Sequence, residues 1–172
     1  MSGELRVMKV LARIVVLGFV IFGLCWGTPA YGASPAATSR SAIDSEDLAG
    51  SNFAGQNLQG VEFSQVNLTN ADLSGSDLRG AVFNSTLLET TNLHGADFTN
   101  GIAYLSKFTG ADLTDAIFVE AILLRSTFEN AKIDGADFSF AVLDGPQQKK
   151  LCAVATGVNP VTGIATADSL GC

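Results

Sequence analysis

The sequence predicts an all-β solenoid, and three observations support this. Large apolar residues recur at every fifth position from Leu48 to Leu143. The position two before each is small: in "GADLTDAIFVEAILL", residues 110–124, Ala111 precedes Leu113, Ala116 precedes Phe118 and Ala121 precedes Leu123. The period also fits neither regular element. A helix would scatter a five-residue period around its surface, and a flat strand would send successive large residues to opposite faces. A chain that turns a corner every five residues keeps them all pointing inward. The residue two earlier shares their face, so a narrow interior takes one large and one small side chain per wall.

The first element is a leader, 1–33. Arg6, Lys9 and Arg13 precede the 13-residue apolar run "IVVLGFVIFGLCW" at 14–26, and small residues follow in "GTPAYGASPAA". That order reads as an export signal peptide. The run is shorter than the ~20 residues of a membrane span, so no stable anchor is expected after cleavage. Cleavage sites are available after Ala30, Gly32 and Ala33. Leu24 before Cys25 is too large for a lipoprotein signal. Three of the ten basic and one of the seventeen acidic residues precede position 34, leaving 7 basic and 16 acidic, a net −9. No basic patch is present to follow a phosphate backbone, which disfavours nucleic acid as a partner. Apolar content of 47% against 16% charged is enough to build a core. Residues 34–45 read as a linker and N-terminal cap, with "SAIDSEDL" as the capping stretch.

The repeat occupies 46–145. Its twenty centres run Leu48, Phe53, Leu58, Phe63, Leu68, Leu73, Leu78, Phe83, Leu88, Leu93, Phe98, Ala103, Phe108, Leu113, Phe118, Leu123, Phe128, Ile133, Phe138 and Leu143, without a register slip. Eighteen are Leu or Phe, and eighteen of the positions two before are Ala, Ser, Thr, Gly or Val. Repetition of this quality decides the architecture. "VNLTNADLSGSDLRGAVF" and "TNLHGADFTN" resemble the pentapeptide-repeat family. The resemblance implies a right-handed quadrilateral β-helix with four units per coil. Twenty units would then make about five coils, a rod of roughly 24 Å at the spacing of neighbouring strands.

Four units per coil stack every twentieth residue and define four sides. Just before the centres, side two reads Asn52, Asp72, Asn92, Asp112, Lys132, and side three reads Asn57, Asp77, Asp97, Ile117, Asp137. Side four differs: Glu62, Val82, Ile102, Ile122, Val142, with Tyr104, Leu105 and Leu124 also outward. Side four is thus the candidate interaction face, because an exposed apolar patch usually marks a contact. Three readings are open: cover by the chain's own tail, a protein partner or second copy, or a register departure near 101–105. The last would turn Tyr104 or Leu105 inward beside the one defective centre, Ala103.

The tail, 146–172, loses the period. Pro146–Thr156 reads as a short helix stopped by Gly157, "NPVTG" as a turn, and Thr166 as the start of a second helix. A solenoid end needs such a cap. Cys152 and Cys172, an even pair in an exported chain, read as a disulfide worth ~3 kcal/mol in loop entropy; two free thiols are the other reading. "LCAVATGVNPVTGIATADSLGC" is similar to the tails of thylakoid-lumenal pentapeptide-repeat proteins of chloroplasts and cyanobacteria. That resemblance implies export across a thylakoid or plasma membrane, to a lumen or periplasm.

No catalytic set emerges. His94 is the sole histidine and points outward. No cluster has metal-ligand spacing, and no phosphate-cradling glycine motif occurs, so no cofactor is expected. Adjacent rungs do align Asp77 with Asp97, about 5 Å apart. A metal site or acid–base pair there is one alternative. Polar bonding at the corners, as short polar side chains make in turns, is the simpler reading. The leading expectation is a non-enzymatic interaction or scaffold protein. Since some family members mimic DNA and protect gyrase, that role is a further alternative, fitted by acidity but opposed by the leader.

Overall fold

The computed structural model describes residues 42–44 and 46–172. The leader and most of the 34–45 segment lie outside the described residues. Four strands, β1 (Ala42–Asp44), β2 (Glu62–Ser64), β3 (Val82–Asn84) and β4 (Ile102–Tyr104), pair in parallel in chain order. Each pairing is offset by twenty residues, as in Ile43 with Phe63 and Phe83 with Ala103. Single-residue bridges repeat that offset on the other sides, as in Asp47–Asn67–Leu87–Lys107–Thr127 and Asn52–Asp72–Asn92–Asp112–Lys132. Side four continues past β4 through Ile122 and Val142. The result is a four-sided parallel β-helix. Its fourth ladder already begins at β1, inside the stretch expected as linker and cap, because Ile43 supplies one more buried centre.

Most corners share one construction. The N–H of Ser51 donates to the carbonyl of Leu48 at 3.0 Å, and Gly50 between them has a φ of 67°. A left-handed residue in that place is what a type II turn demands. It recurs at every fifth position through Phe140, on glycine where the sequence supplies it and on residues such as Asn70, Leu105 and Arg125 where it does not. Where the residue before a centre is Asn or Asp, its side chain secures the bend. Asn52, Asn67, Asp72, Asp97 and Asp137 each accept a hydrogen bond from the backbone N–H two residues on. This is the Asx-turn geometry of short polar side chains.

The corner after side four is built differently. Thr86, Ser106 and Ser126 occupy the small inward position and are buried. Their hydroxyls donate to the carbonyls of Phe63, Phe83 and Ala103 at 2.8, 3.1 and 2.9 Å. The Ser106 and Ser126 oxygens accept from the N–H groups of Thr86 and Ser106. Side-chain hydroxyls thus satisfy backbone groups that a closed turn would pair, as buried polar groups require. The chain stays extended for three residues here, which is why the named strands lie on side four.

Ala103 does not break the register. It remains fully buried, and its N–H donates to Ile122 at 2.7 Å. The missing volume is filled from the neighbouring ladder. Within ladders, phenylalanines one coil apart stack, as Phe108 on Phe128 (4.9 Å, 4°) and Phe118 on Phe138 (5.1 Å, 4°). Phe83 instead stacks on Phe98, at 5.2 Å and 8°. Phe98 meets its own ladder partner Phe118 edge-on, at 64°. Its ring leans over Gly101, where an added Cβ would lie 2.5 Å from ring carbons. Phe98, Gly101 and Ala103 are therefore one packing unit.

The tail holds two helices, α1 (Gly145–Cys152) and α2 (Thr166–Leu170). Helix α1 ends four residues before the expected Thr156, because the chain there pairs with the last coil: Gly135 N–H donates to Thr156 O. Leu151 and Leu170 are buried against the end of the core. Cys152 and Cys172 are bonded, with Cα atoms 5.6 Å apart. The turn at "NPVTG" does more than reverse the chain. Asn159 is fully buried. Its Nδ2 donates to the carbonyls of Asp115 and Gly135, at 3.0 and 2.9 Å, one coil apart. Its Oδ1 accepts from the N–H groups of Val161 and Thr162.

Two predictions test this packing. Gly101→Ala should destabilise by ~1–3 kcal/mol by displacing Phe98, although Gly→Ala at an ordinary φ normally stabilises. Combining it with Phe98→Leu should recover most of the loss, and thermal melts of the four proteins measure this; additive losses would refute the unit. Asn159→Ala should cost ~2–4 kcal/mol, since it strands two buried carbonyls and two N–H groups. A urea midpoint close to wild type would show that the tail is held by other contacts.

Candidate functional site

Side four carries two outward columns where the strands are extended. The first is Glu62, Val82, Ile102, Ile122, Val142, and the second is Ser64, Asn84, Tyr104, Leu124. Alternation along β4 explains the second column: Ile102 points out, Ala103 in and Tyr104 out. The N-terminal half of the surface is polar or half-buried. In the C-terminal half Ile102, Ile122 and Val142 are 38%, 39% and 48% exposed, and Leu124 is half-buried. Tyr104 and Leu105 are also exposed. One polar group sits in this patch: Arg125 donates from Nη1 to the Tyr104 hydroxyl at 3.0 Å, while its backbone N–H donates to Asp144.

Two of the three coverings read from the sequence do not match the structure. The register holds through 101–105, so Tyr104 and Leu105 stay outside. The tail does not cover the column either. It crosses the open end and anchors over sides two and three, with Asn159 on Asp115 and Gly135, Thr156 on Asp134, and Ser169 on Phe138.

One exposed residue escapes a reading based on the positions before the centres. Phe140 stands at a left-handed corner, φ 59°, and is 84% exposed. It follows Phe138 by two, a place otherwise taken mostly by Gly, Asn or charged residues. A tally of that corner position would have exposed the anomaly.

The aspartates of sides two and three are engaged with neighbouring groups. Arg79 grips Asp77 with two hydrogen bonds, 2.8 and 2.6 Å, and approaches Asp97 at 3.9 Å. The cation sits between the two rungs, so the like charges are bridged. Arg79 holds the Asp77 carboxyl down at about 2, with Gln59 assisting. Ser74, donating from both its hydroxyl and its backbone N–H, lowers Asp72. Burial raises Asp112, but Thr114 and Lys132 outweigh it and leave that group lowered. His94 is exposed on the surface of the rod. Among the described residues no group of three or more His, Cys, Asp or Glu is arranged to hold a metal ion.

A depressed carboxyl favours the folded state above its unfolded pKa and loses that contribution as pH falls through the folded value. For Asp77 the window runs from 3.8 down to about 2. Melting temperatures taken between pH 5 and 2 should therefore fall more steeply for wild type than for Asp77→Asn. Parallel curves would refute the assignment. The pair is part-exposed, so the difference should shrink in high salt.

With the geometry established, three comparisons bear on identity. The family model for pentapeptide repeats matches eight copies, over residues 47–84 and 106–145. The chain is 62% identical over 42 residues to the chloroplastic thylakoid lumenal protein TL20.3 of Arabidopsis thaliana. That match takes in 24% of this chain and 15% of that protein. Among solved structures, it is similar to a pentapeptide repeat protein from the Arabidopsis thaliana thylakoid lumen, at 30% identity. That alignment covers 82% of this chain and 97% of the other, with a TM-score of 0.49. It is also similar to QnrB1, a plasmid-mediated fluoroquinolone resistance protein, at 18% identity over 60% of this chain and 66% of that one, with a TM-score of 0.47. Since the matched copies lie on the same ladders that stack every twenty residues, the chain belongs to the pentapeptide-repeat family.

Proposed function

We propose that the protein is exported to the thylakoid lumen and works as a non-enzymatic interaction scaffold. In this reading it is a rod of five coils, closed at its C-terminal end by the disulfide-tied cap of α1 and α2. It holds another protein against side four. The observation that carries the reading is the apolar half of that side, which no other described residue covers: Ile102, Tyr104, Leu105, Ile122, Leu124 and Val142, with Val82 at its margin. Leaving several such side chains in water forgoes ~1.5–3 kcal/mol for each fully buried one, and a contact recovers part of it. The leader and the similarity to TL20.3 support the compartment. The engaged aspartates favour a structural role for the acidic rungs over acid–base work or metal binding. No cofactor and no nucleic acid enter this reading.

The native protein should begin between Tyr31 and Ala37 by N-terminal sequencing. A photo-crosslinking residue at Ile122 should capture a discrete product in the native compartment, and one at Asn92 on side two should not. Equal labelling from both positions would refute side four as the contact surface. An intact Met1 in a cytoplasmic fraction would refute the export.

A further inference from the structure

We propose that the occupant of side four is a second copy of this chain, laid antiparallel across it. The proposal rests on the scaffold reading above and names its partner. Three features support it.

The first is spacing. The outward side chains repeat with the coil, at ~4.8 Å. A helix presents its ridges at a pitch of ~5.4 Å and drifts out of step. Another rod of the same construction has the same spacing and stays in step along the whole patch.

The second is self-complementarity. The apolar column reads Val82, Ile102, Ile122, Val142 along the rod, the same in both directions. A two-fold axis between the rungs of Ile102 and Ile122, along the strands, sets Val82 against the second copy's Val142 and Ile102 against its Ile122. An isologous interface has this reciprocity, in which residue i meets j and j meets i. The second column obeys the same axis: Tyr104 meets Leu124, both apolar in body, and Asn84 meets Asp144.

The third is charge. In the antiparallel register Glu120 faces Asn100, Arg125 faces Leu105, and Asp144 faces a neutral amide. No like charges oppose one another at these positions. Like charges in juxtaposition are costly at interfaces. A parallel pairing has its two-fold axis along the rod, so it reverses the strands and lays the first column on the second, with Val82 on Asn84 and Val142 on Asp144.

Four rungs span only about 14 Å, less surface than the ~800 Å² per partner of a standard interface. The association is accordingly reversible and concentration-dependent.

Sedimentation equilibrium on the exported, disulfide-bonded protein tests this. The average mass should rise from one chain toward two as concentration is raised. Ile102→Asp alone and Ile122→Lys alone should each weaken association by more than about tenfold, because a charge then meets an isoleucine. Both side chains are exposed in the single chain, so each variant should keep the wild-type melting temperature. An equimolar mixture of the two variants should regain dimer, because the antiparallel axis brings the introduced carboxylate of one copy to the introduced ammonium of the other. A parallel pair would bring neither charge to its opposite and would show no rescue. The proposal is overturned if wild type stays a single chain throughout, if either variant dimerises as wild type does, or if mixing restores nothing. Should wild type remain single while native extract still shields Ile122 from photo-crosslinking reagent, the second copy is wrong and the scaffold reading stands. Absence of both dimer and shielding sinks the two together.

Discussion

A residue in the left-handed backbone region at every fifth position makes the rod possible. Without it the chain cannot turn inside five residues, and centres and small partners could not share one interior. For residues other than glycine the conformation costs roughly 1–2 kcal/mol. Burying a Leu or Phe recovers ~1.5–3 kcal/mol. The balance favours the turn even where the corner residue is Leu105, Arg125 or Phe140. Cooperative stacking of coil on coil then makes the arrangement a property of the ladder, as in other solenoids.

The period, the inward pairs and the four outward columns were legible because burial leaves a simple mark on sequence: large, small, polar, at fixed distances. Less legible was anything in which one residue compensates for another. Ala103 reads as a defect until Phe98 is seen leaning over Gly101, a relation between ladders that no single column displays. Asn159 reads as an ordinary turn residue, yet its amide bridges backbone from two coils, 24 and 44 residues away. The tail's route was beyond reach for the same reason. It depends on which backbone carbonyls are left unpaired at the end of the rod.

Side four owes its character to its far corner. The hydroxyls of Thr86, Ser106 and Ser126 take the carbonyls of Phe63, Phe83 and Ala103, one coil below, where a closed turn would otherwise pair them. The extended backbone that results shows two outward residues per rung. The inner polar column and the outer apolar surface are thus linked. A wall only one residue wide would present a ridge, and two columns present a face.

Tyr104 gives that face an optical signature. Trp26 and Tyr31 lie in the expected leader or beside its expected cleavage sites, and Tyr104 is the only Tyr or Trp after position 31. A chain cleaved past Tyr31 carries a single ultraviolet fluorophore brighter than phenylalanine. That fluorophore stands in the second column of side four with its hydroxyl on Arg125. Its emission, lifetime and quencher access report on this surface alone, so the unmodified protein can signal whatever docks there without any added label.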